Sequence, residues 1–355
     1  MSQVTRLTSD SIELPGALEA IETYFEKGWS DGLPIVPPTP EAVSATLEAA
    51  NLSPDTILGI EPVKGAIITA EKAAINTVMA GCKPEYMPVV AAAIAAITQP
   101  EFNLHGITVS TMGAAILLVV NGPITKQLGI NSGVSAFGPG HRANATIGRA
   151  IRLIVMNILG TRSDDGLDKA TLGHTGKYTW CFAENEQALP DNWSPMNLAR
   201  GAIESDSSVT VFSGLSGTQF GEHEASTPEG ILDAFAQRLY PLGPEVTEVI
   251  LAICPEHAAH FNRAKWTRNQ VKKYLFDNAR KSTSEWASMG FPSSPERAEA
   301  PKLDDPNKMI SVLKTPESAI PIVVGGDGGA WSMVIPTWSN GDRSKAVTSK
   351  ITSIS

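Results

Sequence analysis

Short runs of β-branched and other apolar residues alternate with longer, helix-periodic stretches along most of this chain, and that alternation limits the fold more than any other feature. In the C-terminal half, Val209–Phe212 precedes a helical stretch at Pro228–Tyr240. Val246–Ile253 then precedes helices at Pro255–Ala264 and Arg268–Arg280, and strands at Ile320–Val324 and Trp331–Thr337 follow. Strands joined through a helix pair in parallel by right-handed crossovers. The pattern predicts a two-lobed α/β fold with mixed or mainly parallel sheets covered by helices. A chain of 355 residues outgrows a single hydrophobic core. Two α/β lobes are therefore expected, residues 1–200 and residues 201–355, the second with a mainly parallel sheet and no internal repeat.

The N-terminal half is punctuated by proline and glycine. A helix is expected over Gly16–Lys27, then a proline-rich extended run at Val36–Pro40, then a helix over Pro40–Ala50. A strand at Gly65–Thr69 leads into a helix from Ala70 to Ala80, with Thr69 as N-cap and Gly81 as stop. Pro84 opens the next helix, Pro84–Ile97, whose alanines suit deep packing. Strands are expected at Gly106–Ser110, Ala114–Val120 and Lys177–Ala183. Asn131–Gly140 reads as a loop feeding a long helix, Arg142–Leu159, and a polar linker is expected at 290–307.

Composition narrows the function classes. Only 18% of residues are charged against 42% apolar, a globular balance, and the net charge of −9 argues against a nucleic-acid or anionic-membrane partner. The start, MSQVTRLTSD, lacks the charged-then-apolar pattern of an export signal, and runs such as Met87–Ile97 and Ile116–Val120 are too short to span a bilayer. Three cysteines with no CxxC spacing suit free thiols in a reducing compartment, so a cytoplasmic protein is expected.

Cys82 is the first candidate for chemistry. It follows the helix stop at Gly81 and precedes Pro84, so a thiol there is expected at a helix N-terminus, where the dipole favours the thiolate, with Lys83 acting the same way. Lys72, Asn76 and Met79 share one face of the preceding helix, and Glu85 lies in the first turn of the next. The bland alternative is a small buried side chain at a tight helix corner. Cys254 invites a similar argument, because Cys254-Pro255-Glu256-His257 follows a strand and opens a helix, although a cysteine in that place is commonly structural. Cys181, between Trp180 and Phe182, reads as core.

An anion site is the second candidate. Gly138-Pro139-Gly140 leads into a helix on which Arg142 and Arg149 share a face with Thr146, and a guanidinium fork suits a carboxylate or phosphate. A solvated, ion-paired arginine stripe is the alternative. Asn131 and Asn144 could line a polar site without adding charge, or simply serve turns. Among the histidines, His105 and His174 occupy positions where side chains often face a cleft, and Lys177 lies just beyond His174; none forms a metal-ligand run. The Gly325–Gly329 run follows a strand, but a strand-like run rather than a helix comes next. It suits an anion nest or tight hairpin better than a nucleotide loop.

Taken together, three segments resemble a bacterial family labelled UGSC-like, after a (seleno)cysteine motif carried by some of its members. They are Gly28-Trp-Ser-Asp-Gly-Leu-Pro-Ile-Val-Pro-Pro-Thr-Pro40, Glu71-Lys72…Asn76…Met79-Ala-Gly-Cys-Lys-Pro-Glu-Tyr86, and Asn131-Ser-Gly…Phe137-Gly-Pro-Gly…Ala143-Asn144. The likeness extends through Gly173-His174…Lys177 and Glu184-Asn185 to Gly325–Gly329. It implies that Lys72, Cys82 and Glu85 belong to the family's signature. The Sec/Cys-Gly-Ser-Cys motif itself is absent, so no dithiol or selenol mechanism carries over.

The leading expectation is an enzyme acting on a small polar or anionic substrate by cysteine-based hydrolase or lyase chemistry. Cys82 would be the nucleophile, Lys72 would lower its pKa or hold substrate, and Glu85 or His105 would move protons. Asn76, Asn131, Arg142, Asn144, Arg149, His174 and Lys177 would bind substrate, and no cofactor is required. Cys82 should then alkylate faster than Cys181 and Cys254. A metal-dependent lyase or hydratase using His105 and His174 with a divalent ion is the second reading. A non-catalytic ligand-binding or assembly protein is the third. A homo-oligomer is expected from the abundant small residues.

Overall fold

The structure is a computed structural model that describes residues 7–164, 166–291, 305–339 and 343–352. The chain divides into two compact units, Met1–Ala183 with Asn197–Gly214 and Ala346–Ser355, and Glu184–Met196 with Leu215–Lys345. In the first unit the chain forms α1 (Ala17–Glu26), α2 (Pro40–Glu48), β1 (Ile57–Ile60), β2 (Ile67–Thr69), α3 (Ala70–Met79), α4 (Met87–Ile97), α5 (Leu104–Val109), β3 (Ala115–Asn121), α6 (Ile124–Leu128), α7 (Arg142–Leu159), β4 (Cys181–Ala183) and β5 (Ser208–Gly214). The second unit carries β6 (Thr218–Gly221), α8 (Pro228–Leu239), β7 (Val249–Ile253), α9 (Pro255–Arg263), α10 (Arg268–Asn278), β8 (Arg280–Ser282), α11 (Thr283–Ser288), β9 (Met309–Ser311), β10 (Ala319–Val323) and β11 (Trp331–Pro336). The chain then returns to the first unit as β12 (Val347–Lys350).

The fold is α/β, with mixed sheets in both units. In the first, the strand order is β12-β5-β3-β4, with β3 and β4 parallel and the other pairs antiparallel. All seven residues of β5 are buried, which requires cover on both faces; α4 packs against β5 and β12, and α7 against β3 and β4. The all-apolar α4 has no polar stripe to present to water, and the sequence's deep-packing expectation for it holds. Among the described residues, no helix is long and apolar enough to cross a membrane.

In the second unit the order is β10-β7-β11-β6. Only β10 and β7 run parallel, while β11 is antiparallel to both β7 and β6. This corrects the expectation of a mainly parallel sheet. Residues 324–330 link β10 to β11, a connection too short for a crossover, so β11 must run back against the sheet. The core beneath is built on fully buried Phe235, Phe261, Val271 and Leu275, with Trp286 at 1% exposure. Burying each large apolar side chain contributes about 1.5–3 kcal/mol.

A single cut near residue 200 does not describe the division. β5 pairs with β3 from Ala115↔Gly214 to Asn121↔Ser208, and β12 pairs with β5, so both later segments belong to the first sheet. Residues 106–110 are largely helical rather than a strand. Asn103, left-handed at φ 54°, caps α5 by accepting from the Gly106 N–H, and the Thr108 hydroxyl donates back to the Leu104 carbonyl. The strand expected from Lys177 begins only at Cys181, because a 3-10 turn occupies Thr175–Lys177. Most of the polar linker expected at 290–307 lies outside the described residues.

Tight backbone approach makes one glycine decisive. Gly122, just past β3, has φ +91°, and a Cβ there would lie 2.4 Å from the Asp206 carbonyl oxygen and 2.8 Å from Ser207 Cα. Gly129 is also left-handed, at φ +66°, but a Cβ there would meet nothing within 4 Å. Gly129→Ala should therefore cost only the left-handed penalty of about 1–2 kcal/mol, whereas Gly122→Ala should cost about 3 kcal/mol or more because backbone must move. Urea unfolding of the two variants measures the gap; equal losses would contradict it.

Candidate functional site

The geometry around Cys82 reverses the electrostatic expectation. Ala80 ends α3, Gly81 is left-handed at φ +89°, and the Gly81 and Cys82 N–H groups donate to the Val78 and Thr77 carbonyls at 2.8 and 3.2 Å. This is a Schellman cap, so Cys82 sits at the negative end of the α3 dipole. Ahead of it Pro84–Tyr86 forms a 3-10 turn, and α4 begins only at Met87. Burial pushes the Cys82 thiol up to about 12, although the Thr146 hydroxyl and the Arg142 and Arg149 charges pull the other way. Cys181 is buried in β4, and burial raises its thiol as well.

The residues expected to attend Cys82 are held elsewhere. Lys72 is exposed, and its ammonium donates to the Ser9 hydroxyl at 3.1 Å. Neither Lys72 nor Glu85 is among the charges that act on the Cys82 thiol, and Glu85 is exposed. Asn76 is buried: its amide donates to the Lys72 carbonyl at 2.8 Å, and its oxygen accepts from Asn157 at 2.7 Å. Asn157 in turn donates to the Trp29 carbonyl, so this pair ties α3, α7 and the Gly28–Pro34 segment together. His105 lies half-buried in α5.

The expected anion face is largely spent on internal contacts. Arg149 forms a bidentate pair with Asp31, Nε to Oδ2 and Nη2 to Oδ1, both at 2.8 Å, and also donates to the Leu33 carbonyl. Arg142 is exposed but its Nε donates to the Gly81 carbonyl at 2.9 Å. Asn144 accepts from the Asn131 N–H at 2.7 Å and donates back to the Asn131 carbonyl at 2.9 Å, while Asn131 closes its own turn through Val134 and Gly133. These asparagines fasten the loop before α7. They do so with the turn chemistry that made them stand out in the sequence.

His174 and Lys177 do come together, with two partners that the sequence did not single out. Lys177 Nζ lies 2.5 Å from Asp168 Oδ2, and Arg152 Nη2 lies 3.2 Å from the same oxygen. The Lys177 pKa is lowered by burial, with Asp168 opposing that, and burial lowers Arg152 too. His174 Nδ1 accepts from the Gly176 N–H and its Nε2–H donates to the Gly214 carbonyl at 3.2 Å. Burial first, and the Lys177 charge, lower its pKa against the opposing hydrogen bond to Gly214. Arg152 and Lys177 line a small cavity together with Ile107, Thr108, Ala115 and Val155.

In the second unit, Cys254 caps α9 directly after β7, buried at 5% exposure. His257, one turn on, places Nδ1 2.7 Å from the Ser332 hydroxyl of β11. Ser332 Oγ also accepts from the Cys254 N–H at 3.1 Å and lies 3.6 Å from the Cys254 sulfur. His257 Nε2 is 3.0 Å from the Glu222 carbonyl, which can only accept, so Nε2 carries a proton in every state. Burial raises the Cys254 pKa, but the His257 imidazole and backbone N–H together with the Ser332 hydroxyl outweigh it, and the thiol ends below its ordinary value. Burial lowers the His257 pKa, and the Cys254 and Glu222 contacts outweigh it in turn, leaving it raised. The Gly325–Gly329 run borders this group. Glu256 Oε2 accepts from the Gly329 and Ala330 N–H groups at 2.9 Å each, and Asn185 donates to the Gly325 carbonyl.

Two protonation states fit this network without a stranded polar atom. With a neutral imidazole, Ser332 donates to Nδ1 and the thiol stays protonated. With an imidazolium, Nδ1–H donates to Ser332, whose own proton turns to the sulfur. A proton can thus pass from Cys254 to His257 through one hydroxyl. Spacing along the chain puts Cys254 and His257 side by side but gives no hint of Ser332, which comes from a strand far along the chain.

No family model matches the chain, and no curated protein matches it at a significant level. Among the described residues no group of three or more His, Cys, Asp or Glu side chains could hold a metal ion, so neither His105 nor His174 belongs to such a group.

Proposed function

We propose that this protein is a thiol-dependent enzyme of the hydrolase or lyase type acting on a small polar substrate, with Cys254 rather than Cys82 as nucleophile. The observation that carries the reading is the Cys254–Ser332–His257 relay at the start of α9, where the thiol's pKa is lowered despite burial. The resemblance to the UGSC-like family would favour Cys82, but helix-end geometry and burial both disfavour its thiolate.

For a hydrolytic cycle the roles follow from the geometry. The Cys254 thiolate attacks an electrophilic acyl carbon, and a C–S bond forms. The bond to the leaving group breaks, and that group takes the proton held on His257. Water then gives a proton to His257 as its oxygen bonds the thioester carbon. The C–S bond breaks, and its electron pair returns to sulfur. The glycine run 325–329, half-buried at Gly325 beside Pro255 and exposed from Asp327 to Gly329, is the approach assigned to the substrate.

Site-resolved alkylation with iodoacetamide, read by mass spectrometry from pH 5.5 to 9, tests the proposal. Cys254 should label first below pH 7, with Cys82 and Cys181 lagging. Faster labelling of Cys82 would return the assignment to it and overturn this one.

A further inference from the structure

We infer that the substrate of the Cys254 site carries an ammonium group, received by the exposed indole of Trp331 and the carboxylates around it. The inference rests on the thiol reading for the reaction, whereas the cation-binding edge itself rests on geometry alone.

Position comes first. β6, β7 and β10 run in one direction, so Glu222, Cys254 and Val324 leave the sheet at its carboxyl edge, and β11 starts there at Trp331. Extending the β11–β7 register past Met333↔Ala252 sets Trp331 opposite Cys254, with about 5 Å between the Cα atoms. On its other side Trp331 pairs with Gly221. The indole rests on backbone there: a Cβ at Gly221 would come within 3.4 Å of its Cε2, and one at Gly329 within 3.2 Å of its Cδ1. Trp331 is nevertheless 53% exposed. An indole open to water beside a nucleophile offers the negative face of its π-system to a cation. Exposed His223 meets the indole edge to face, with the ring centroids 5.9 Å apart.

Charge points the same way. Residues 215–230, 249–262 and 319–339, which build this edge, contain no lysine or arginine. They bring Glu222, Glu224, Glu256 and Asp327. Glu222 is held ionised by the Ala225 and Glu224 N–H groups, and Glu256 by those of Ala330 and Gly329. The cationic groups acting on both are the His257 and His223 imidazoles. Arg238 of α8 lies over the Phe220 ring, 5.2 Å from its centroid, and is not among the charges acting on either carboxylate.

An anionic substrate finds no matching reception. The glycine run could have offered backbone N–H groups, but Glu256 already takes those of Gly329 and Ala330. When the proton of Cys254 sits on His257, thiolate and imidazolium cancel, and the surrounding carboxylates still repel an anion. A substrate with an ammonium group beside its acyl carbon meets attraction from both the indole and the carboxylates.

Titration of the wild-type protein at about pH 8, where a free imidazole is neutral, reads the edge without any reaction at sulfur. Tetramethylammonium chloride is compared with tert-butyl alcohol, a neutral molecule of similar shape, and sodium chloride holds the ionic strength constant. The Trp331 indole N–H resonance, assigned among seven tryptophans by its loss in Trp331→Phe, should shift saturably with the cation and not with the alcohol. Glu224→Gln, at an exposed position, should weaken the apparent affinity by about threefold. In parallel, Cys254 is modified with methanethiosulfonates bearing a trimethylammonium or a sulfonate group, each rate divided by that on a small free thiol. The cationic reagent should be favoured by about five- to tenfold, and Trp331→Leu should reduce the preference to roughly twofold. No saturable shift at Trp331, or an equal shift with the alcohol, overturns the inference whatever Cys254 does. A labelling preference at or below unity overturns it with the thiol reading intact. A cation-specific Trp331 shift beside a Cys254 inert to every reagent supports the cation site and removes the thiol reading instead.

Discussion

His257→Asn is expected to slow alkylation of Cys254 at pH 6.5 by about ten- to fifty-fold and to move its pH profile above that of an ordinary thiol. Without the imidazole, burial is opposed only by the residue-257 backbone N–H and the Ser332 hydroxyl, and a buried group of this kind shifts up by roughly 2–3 pKa units. Each unit removes about nine-tenths of the thiolate below its pKa, a loss of roughly 10²–10³. A more basic thiolate is intrinsically more nucleophilic, with a Brønsted slope of about 0.4–0.5, which returns roughly ten- to twenty-fold. The difference is the expected effect. Ser332→Ala should give a smaller loss, because the imidazole charge remains although its bridge to sulfur is gone. Asparagine retains a donor and an acceptor near the Ser332 hydroxyl, so intact far-UV and near-UV spectra should accompany the slow labelling. An unchanged pH profile in His257→Asn would remove the physical basis for choosing Cys254.

What the sequence disclosed about this site depended on range. Cys254 and His257 share one turn of helix, so their proximity follows from spacing alone. Ser332 is 78 positions from Cys254 and arrives only because β11 returns antiparallel to β7. That return was the feature the strand–helix alternation concealed. The same limit explains Cys82. Gly81 as a helix stop was legible, but a stop can be followed by a helix start or by a capped corner, and only the Thr77 carbonyl accepting from the Cys82 N–H tells them apart. Helices α3, α7 and α9 fall close to where their caps and glycines put them. Short elements such as α5 do not, because an Asn cap overrides the β-branched residues that suggested a strand. The Asp168 pairing with Arg152 and Lys177 left no pattern at all, since its members come from a helix, a loop and a 3-10 turn.

Arg149→Ala should destabilise the first unit by about 3–5 kcal/mol, because it strands a carboxylate that is 4% exposed. For a unit of this size the loss corresponds to a fall in Tm on the order of 10 °C. The pair closes the Asp31–Pro34 segment onto α7: both Asp31 oxygens take a guanidinium N–H, and the same guanidinium holds the Leu33 carbonyl. Arg149→Lys keeps the charge but cannot reproduce the fork, and should lose about 1–2 kcal/mol. Removing both charges together separates structure from ligand binding. In Asp31→Asn with Arg149→Met no buried charge is left unpaired, so at least half of the lost stability should return. A substrate-binding Arg149 would behave otherwise, with near-normal unfolding in Arg149→Ala and no recovery in the double variant. Urea titration of the three variants and the wild type gives the answer directly, and a loss below about 1 kcal/mol in Arg149→Ala, the range of a surface ion pair, would place Arg149 back among the candidate ligands for an anion.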